Sequence, residues 1–309
     1  MPLPQSFEGR LSLPAVSAPM FLVSGPELVK ATCKAGVPGT FPALNQRSTE
    51  EFEDWVVETK EGLDDNDAPY GVNLIVHKTN PRVEADLTIC EKHKVPLIIT
   101  SLGAVPDLVD TVQGYGGVVF HDIVNIRHAQ KAAEAGVDGL ILVCSGAGGH
   151  AGTMSPFALL PEVRKFFDGT ILLAGCISDG RSIAAARMLG ADLAYLGTRF
   201  IATAESHAPD AFKAMIRDSA AKDIIYTPSV SGIPGSFLRP SIEAAGMNPD
   251  DLPEPGKPLG EGLEAEVRAW RDVWSAGQGV GQIDDAPPAA ELIARLKREY
   301  DDAVKAFAA

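Results

Sequence analysis

Ser145-Gly146-Ala147-Gly148-Gly149-His150-Ala151-Gly152 sets one histidine in a run that carries almost no other side chains. The apolar run 140–144, of strand length, leads straight into it. Glycines let a backbone approach a flat ligand closely and adopt positive φ. Histidine is the side chain best suited to moving protons near neutral pH. The stretch therefore reads as an active-site loop in which His150 transfers a proton; the plainer alternative is a tight turn with a solvated histidine.

Two other apolar runs end in Ala174-Gly175-Cys176-Ile177-Ser178-Asp179-Gly180 and Tyr195-Leu196-Gly197-Thr198-Arg199-Phe200. Gly175, Gly197 and the backbone and hydroxyl of Thr198 can donate hydrogen bonds to a phosphate, and a helix N-terminus adds a favourable dipole. Asn73 interrupts the apolar run 70–76. A buried amide needs partners, which either a planar heterocycle or the neighbouring backbone supplies. His121 closes the run 118–121 and either meets a cofactor ring or lies in a solvated loop; Ser101 is a weaker signal of the same kind. His77, His93, His128 and His207 stand in polar contexts and read as surface residues. No HxH or HxxxH occurs, so no metal is expected. A GxSxG elbow is absent, and the glycine run at 146–149 is not a GxGxxG dinucleotide turn.

The elements that position these groups follow a repeating order of short apolar run, glycine-containing loop and helical segment. Strands are expected at 13–18, 39–41, 70–76, 96–100, 117–121, 139–143, 171–174 and 194–196, with capped, amphipathic helices at 24–36, 125–136 and 179–190 between some of them. The runs are nearly uniformly apolar, as in parallel strands buried on both faces. This predicts an α/β (β/α)8 TIM barrel, with an open doubly wound sheet as runner-up. In such barrels the site lies at the C-terminal ends of the strands, and phosphates often sit beyond strands seven and eight.

Beyond residue 201 the pattern changes. A helix is expected over 208–220, an irregular Pro-, Gly- and Ser-rich stretch over 226–260, and helices over 261–276 and 288–307. The expected division is a barrel at 1–221, a lid or side lobe over its mouth at 222–285, and a C-terminal helix at 286–309. Within the lid, 226–240, with Tyr226, Phe237, Leu238 and Arg239, is expected to cover the substrate side; the sequence leaves open which way Arg239 points.

Composition narrows the partners. The 309 residues, 45% hydrophobic and 22% charged, suffice for a large core. A formal charge of −14 argues against nucleic acid or an anionic membrane as partner. The first ten residues lack the basic start and apolar run of a signal peptide, and no apolar stretch approaches the roughly 20 residues of a membrane helix. Cys33, Cys90, Cys144 and Cys176 have no CxxC spacing and read as reduced thiols of a cytoplasmic protein.

Ala18-Pro19-Met20, Gly71-Val72-Asn73, the 147–152 loop and the two glycine strand ends occur in the order and spacing of the nitronate monooxygenases, formerly 2-nitropropane dioxygenases. The chain resembles these FMN-containing TIM barrels closely over 11–205 and more loosely through Gly277-Gln278-Gly279. The resemblance implies FMN, with Ala18, Pro19, Met20, Asn73, His121, Gly148 and Gly149 around the flavin and Gly175, Cys176, Gly197 and Thr198 at its phosphate. It implies that His150 deprotonates a nitroalkane or orients a nitronate, which is oxidised with O2 to a carbonyl compound and nitrite. The partners are then a small nitro substrate and O2; a homodimer is left open.

Three positions depart from the family pattern: Gly146 where Glu is common, Cys176 where Gly is usual, and His121 where Lys is common. Relatives on the same framework include NAD(P)H-dependent quinone and enoyl-thioester reductases, which supply the alternative activity. A flavin-free isomerase or synthase with a phosphate-bearing ligand, and a silent scaffold barrel, are the readings outside flavin chemistry. FAD is disfavoured because no motif for an adenylate half is visible.

Overall fold

The computed structural model describes residues 3–77, 79–103, 105–252 and 270–308. Its strands in chain order are β1 (Ala15–Ser17), β2 (Thr40–Pro42), β3 (Gly71–Ile75), β4 (Leu97–Ser101), β5 (Val118–Ile123), β6 (Gly139–Val143), β7 (Gly149–His150), β8 (Thr170–Ala174), β9 (Leu193–Leu196), β10 (Ile224–Thr227) and β11 (Gly235–Leu238). Eight of them form one parallel sheet in the order β1-β9-β8-β6-β5-β4-β3-β2. A parallel bridge from Ser17 to Gly39 joins its two ends, so the sheet closes into a TIM barrel.

Period-two alternation divides each strand between two apolar layers. Val16, Leu97, Ile99, Phe120, Ile141, Leu172, Leu193 and Tyr195 pack inside, and Phe7 joins them against Phe120 at a ring-centroid separation of 5.8 Å. The intervening residues, among them Val72, Leu74, Ile98, Val119 and Leu142, pack outward against the helices. The same alternation decides which polar residues at the strand ends look into the mouth.

The helices are α1 (Pro26–Lys34), α2 (Thr49–Glu61), α3 (Val83–His93), α4 (Pro106–Gly114), α5 (Ile126–Glu134), α6 (Pro156–Val163), α7 (Gly180–Leu189), α8 (Thr198–Ile201), α9 (Asp210–Asp218), α10 (Arg239–Ala244) and α11 (Ala289–Ala308). Local chemistry sets several ends. Ser48 and Glu51 form a capping box on α2, and Asp179 with Ser182 does the same for α7, which stops at Gly190 in the left-handed region. The last helix, α11, lies against α7 and α1. None of the described helices is long and apolar enough to cross a membrane.

Two features differ from the sequence expectation. The irregular stretch after 222 contains β10 and β11, which pair antiparallel with each other and with β7, so that His150 itself belongs to a small sheet. Of the helix expected over 261–276, residues 261–269 lie outside the described residues, and by 273 the helix has ended. The backbone and side chains there bond the glycine loop instead: Ser275 Oγ accepts from the Gly149 N–H at 2.7 Å, and the Gln278 N–H donates to Gly146 O at 2.8 Å.

Candidate active site

The C-terminal ends of the barrel strands enclose a cavity of about 990 Å³. Its walls include Ala18, Pro19, Met20, Asn73, His121, Gly148, Gly149, His150, Gly175, Cys176, Gly197 and Thr198, so residues far apart in the sequence meet at one mouth. The volume is at the upper end of the range for small-molecule and cofactor sites.

His150 is half-buried on the lid side. Its ring packs edge-on against Trp270, with centroids 5.0 Å apart, and Trp270 in turn lies 5.0 Å from Phe237. Burial pushes the imidazole pKa down to about 4, so the ring is neutral at pH 7. Ser231 Oγ lies 3.4 Å from Nε2 and donates its own hydrogen to Ile233 O at 2.9 Å. With its hydrogen committed to Ile233 O, Ser231 is placed to accept from the imidazole. Tyr226, from β10, donates to Ala151 O at 2.8 Å and ties the lid strand to the same loop.

Beside the glycine loop the mouth offers a cradle of backbone. Gly175 and Cys176 at the end of β8 both have positive φ, +125° and +57°. Thr198 Oγ1 accepts from the Gly277 N–H at 2.9 Å and still has its own hydrogen to donate. A Cβ on Gly148 would stand 2.8 Å from Gly277 N and 3.2 Å from Thr198 Oγ1, so only glycine fits where the two loops meet. Of the two helices that start at these strand ends, α7 has little to offer an anion. The first turn of α7 is already occupied by carboxylates, the Ser182 N–H by Asp179 and the Gly180 N–H by Glu299 of α11. An anion here would rely on the β8 and β9 loop ends and on the short α8.

Gly146 and Cys176, both departures from the family pattern, are in contact. A Cβ on Gly146, which has φ +83°, would lie 2.3 Å from Cys176 Sγ. The missing acidic side chain and the extra thiol thus exclude each other sterically. Gly146→Ala should lower stability by about 1–3 kcal/mol, and Cys176→Gly should recover part of that loss. Urea melts of the two single variants and the double variant measure the coupling; strictly additive losses would show that the thiol is not the obstacle.

Strand phase separates the polar residues of the β3–β5 edge. Asn73, Ser101 and Asp122 sit on the inward positions, in phase with Ile99 and Phe120. His121 is in phase with the outward Val119 and Ile123, and its Nδ1 bonds Thr100 Oγ1 at 2.7 Å. Burial lowers its pKa to about 4, helped by His128 of α5. The imidazole expected to meet a cofactor ring therefore lies away from the barrel axis, and the inward group at the end of β5 is Asp122. Asp122 stands next to His121 in the sequence and was legible only through strand phase. His128, expected to be an uninvolved surface residue, lines the α5 side of the cavity with Lys131. Trp270 and Ser275, which sequence reasoning did not single out, also line it, together with Gly277 of the 277–279 motif. Among the described residues no cluster of three potential metal ligands occurs.

A closed barrel with a histidine-bearing glycine loop beside a backbone cradle at the strand ends is the architecture of a flavin-dependent oxidoreductase. The profile of the nitronate monooxygenase family matches residues 82–299. The chain belongs to that family. A nitronate monooxygenase of Paraburkholderia phytofirmans is 27% identical over 94% of this chain and 93% of its own. A Rhodococcus jostii protein named as a 5-hydroxy-7a-methyl-1-oxo-octahydro-indene-4-carboxyl-CoA dehydrogenase is 32% identical over 74% of this chain; the match spans only 63% of that relative's length. The solved structure of a nitroalkane oxidase from Streptomyces ansochromogenes superimposes with a TM-score of 0.83 at 24% identity, covering 98% of this chain and 100% of that one.

Proposed function

We propose that the chain is an FMN-dependent nitronate monooxygenase that oxidises alkyl nitronates, and nitroalkanes after proton removal, with O2 to carbonyl compounds and nitrite. The observation that carries this reading is a neutral imidazole in a glycine loop that, together with a backbone cradle at the strand ends, lines a cavity of about 990 Å³. FMN, when bound, supplies the two-electron chemistry and the reaction with O2. The glycine and threonine ends of β8 and β9 hold its phosphate, and Ala18, Pro19, Met20, Gly148, Gly149 and Asn73 take the ring and side chain. His150 removes the proton from a neutral nitroalkane, with Ser231 Oγ 3.4 Å from its Nε2. Residues 222–252 and 270–285 act as the lid, and Trp270, Ile233 and Pro234 give the substrate side an apolar wall suited to short alkyl groups.

Arg239 takes no part in this wall. Its guanidinium pairs with Asp250 at 2.8 and 3.2 Å on the outside of the lid. Arg239→Ala is expected to leave the ranking of neutral and carboxylated nitronates unchanged. Steady-state rates on 1-nitropropane nitronate and 3-nitropropionate nitronate test this, and a selective loss on the carboxylated substrate would bring Arg239 into the site.

Purified protein should show flavin absorption, releasable as FMN on denaturation, and anaerobic addition of a nitronate should bleach the band near about 450 nm, a property of the flavin chromophore. A colourless protein that takes up no FMN overturns the reading. The dehydrogenase among its relatives favours a second reading, an NAD(P)H-dependent flavin reductase. Bleaching by NADH but not by nitronate would select it.

A further inference from the structure

The side-chain amide of Asn73 is locked in one orientation. Its Nδ2 donates to the Ile99 carbonyl at 3.2 Å and to Ser101 Oγ at 2.8 Å. A backbone carbonyl can only accept, so both amide hydrogens are used within the barrel wall. The amide oxygen Oδ1 then has no partner among the described residues, on a side chain that lines the cavity. Ser101 accepts from Asn73 and passes its single hydrogen to Asp122 Oδ2 at 2.6 Å. A directed chain of hydrogen bonds therefore crosses the ends of β3, β4 and β5.

At its far end the second carboxyl oxygen, Asp122 Oδ1, is buried without a partner among the described residues. Burial pushes this carboxyl up to about 6, against the lowering effect of the Ser101 hydroxyl. No cation compensates it. Tyr195 of β9 feels its charge, while His121 on the same strand turns outward to Thr100 and toward His128 of α5. Leaving a buried polar group unsatisfied costs about 1–3 kcal/mol, and a packed apolar residue would serve the barrel better. Asp122 is also the single acidic residue among the described residues lining the cavity.

We propose that Ser101 and Asp122 are positioning residues that hold Asn73 as a fixed hydrogen-bond acceptor at the barrel mouth, so that the cavity selects a ligand edge carrying an N–H group. The inference rests on the flavin reading above. An oxidised isoalloxazine ring has one N–H, at N3, between two carbonyl oxygens that the Asn73 oxygen would repel. A hydrogen bond to an ionised acceptor is roughly twice as strong as a neutral one, so the chain is tightest when Asp122 carries its charge.

The test is titration of apoprotein with FMN and with 3-methyl-FMN, which lacks only the N3–H, followed by flavin fluorescence. At pH 8 the wild type should prefer FMN by about tenfold or more, the worth of one well-placed hydrogen bond. Ser101→Ala should remove most of that preference; the bulk of the methyl group is common to both proteins and cancels in the comparison. Asp122→Asn keeps an acceptor for Ser101 and should retain a preference that no longer varies with pH. In the wild type the preference should shrink as pH falls from 8 to 5, while Asp122 takes up its proton, and this measurement needs no variant. A preference that survives Ser101→Ala, or that is flat with pH in the wild type, overturns the positioning role and leaves the flavin site standing. Wild-type apoprotein that binds neither flavin overturns both.

Discussion

His150→Asn is expected to depress turnover of neutral nitroalkanes by about 10²–10⁴-fold, the usual contribution of a positioned general base. Flavin content should stay unchanged, because the cradle is built of backbone groups and Thr198, none of which the substitution removes. Asparagine can still donate toward Ser231 and fill much of the space beside Trp270, so the lid contact survives. Preformed nitronates need no deprotonation, and their turnover should fall far less. The pH profile adds an independent sign. Because burial holds His150 at about 4, its basic form persists from neutral pH down to about 5. The wild-type rate on a nitroalkane should therefore stay level over that range and fall only as pH drops through about 4; the variant should lack this limb. Stopped-flow reduction of the flavin by 1-nitropropane and by its nitronate reads both arms. Equal losses on the two substrate forms would make His150 a binding residue, and no loss on either would end its catalytic role.

Much of the architecture was legible because a parallel strand buried on both faces is a local, unmistakable pattern. The runs at 139–143 and 171–174 coincide closely with β6 and β8, and the β1–β9 pair joins the first and last of the expected runs. What escaped depends on partners distant in sequence. β7 is two residues, Gly149 and His150, with no intrinsic strand preference; it exists because Gly235 and Ser236 pair with it. Residues 273–276 fall in a stretch expected to be helical, yet the helix has ended by 273 and Ser275 bonds the glycine loop instead. At β5 phase separates two neighbouring polar residues that both line the cavity. A strand of alternating faces puts neighbouring residues on opposite sides, so the search for a polar strand end found His121 while Asp122 holds the inward place. Sequence alone gives no phase for a strand whose two faces are both apolar. The Gly146–Cys176 contact was invisible for a related reason: the two departures are separate in sequence, and only the fold shows the two loops sharing one volume.

Thr198→Asp is expected to purify almost free of FMN while folding normally. The threonine hydroxyl oxygen already accepts a hydrogen bond from the Gly277 N–H, and an aspartate oxygen can take over that role, so the junction between the β9 end and the 275–278 segment should hold. The new charge would face the place proposed for a phosphate dianion. At a separation of about 5 Å, a single negative charge opposing two costs roughly 2 kcal/mol in a fully screened setting and about 7 kcal/mol at an effective dielectric constant near 20. The lower figure alone weakens binding by more than about tenfold, and the half-buried cradle lies between the limits. At the β8 and β9 ends the described donors are backbone N–H groups and the Thr198 hydroxyl, none of them cationic, and α7 is capped by Asp179 and Glu299. Two comparisons separate charge from shape. Thr198→Asn has nearly the same outline without the charge and should keep most of its FMN. Riboflavin, which has no phosphate, should bind Thr198→Asp as well as it binds the wild type. Isothermal titration of the three apoproteins with both flavins decides the matter. Equal weakening toward FMN and riboflavin would mean that the substitution distorts the ring pocket, and unchanged FMN affinity would place the phosphate away from the β9 end.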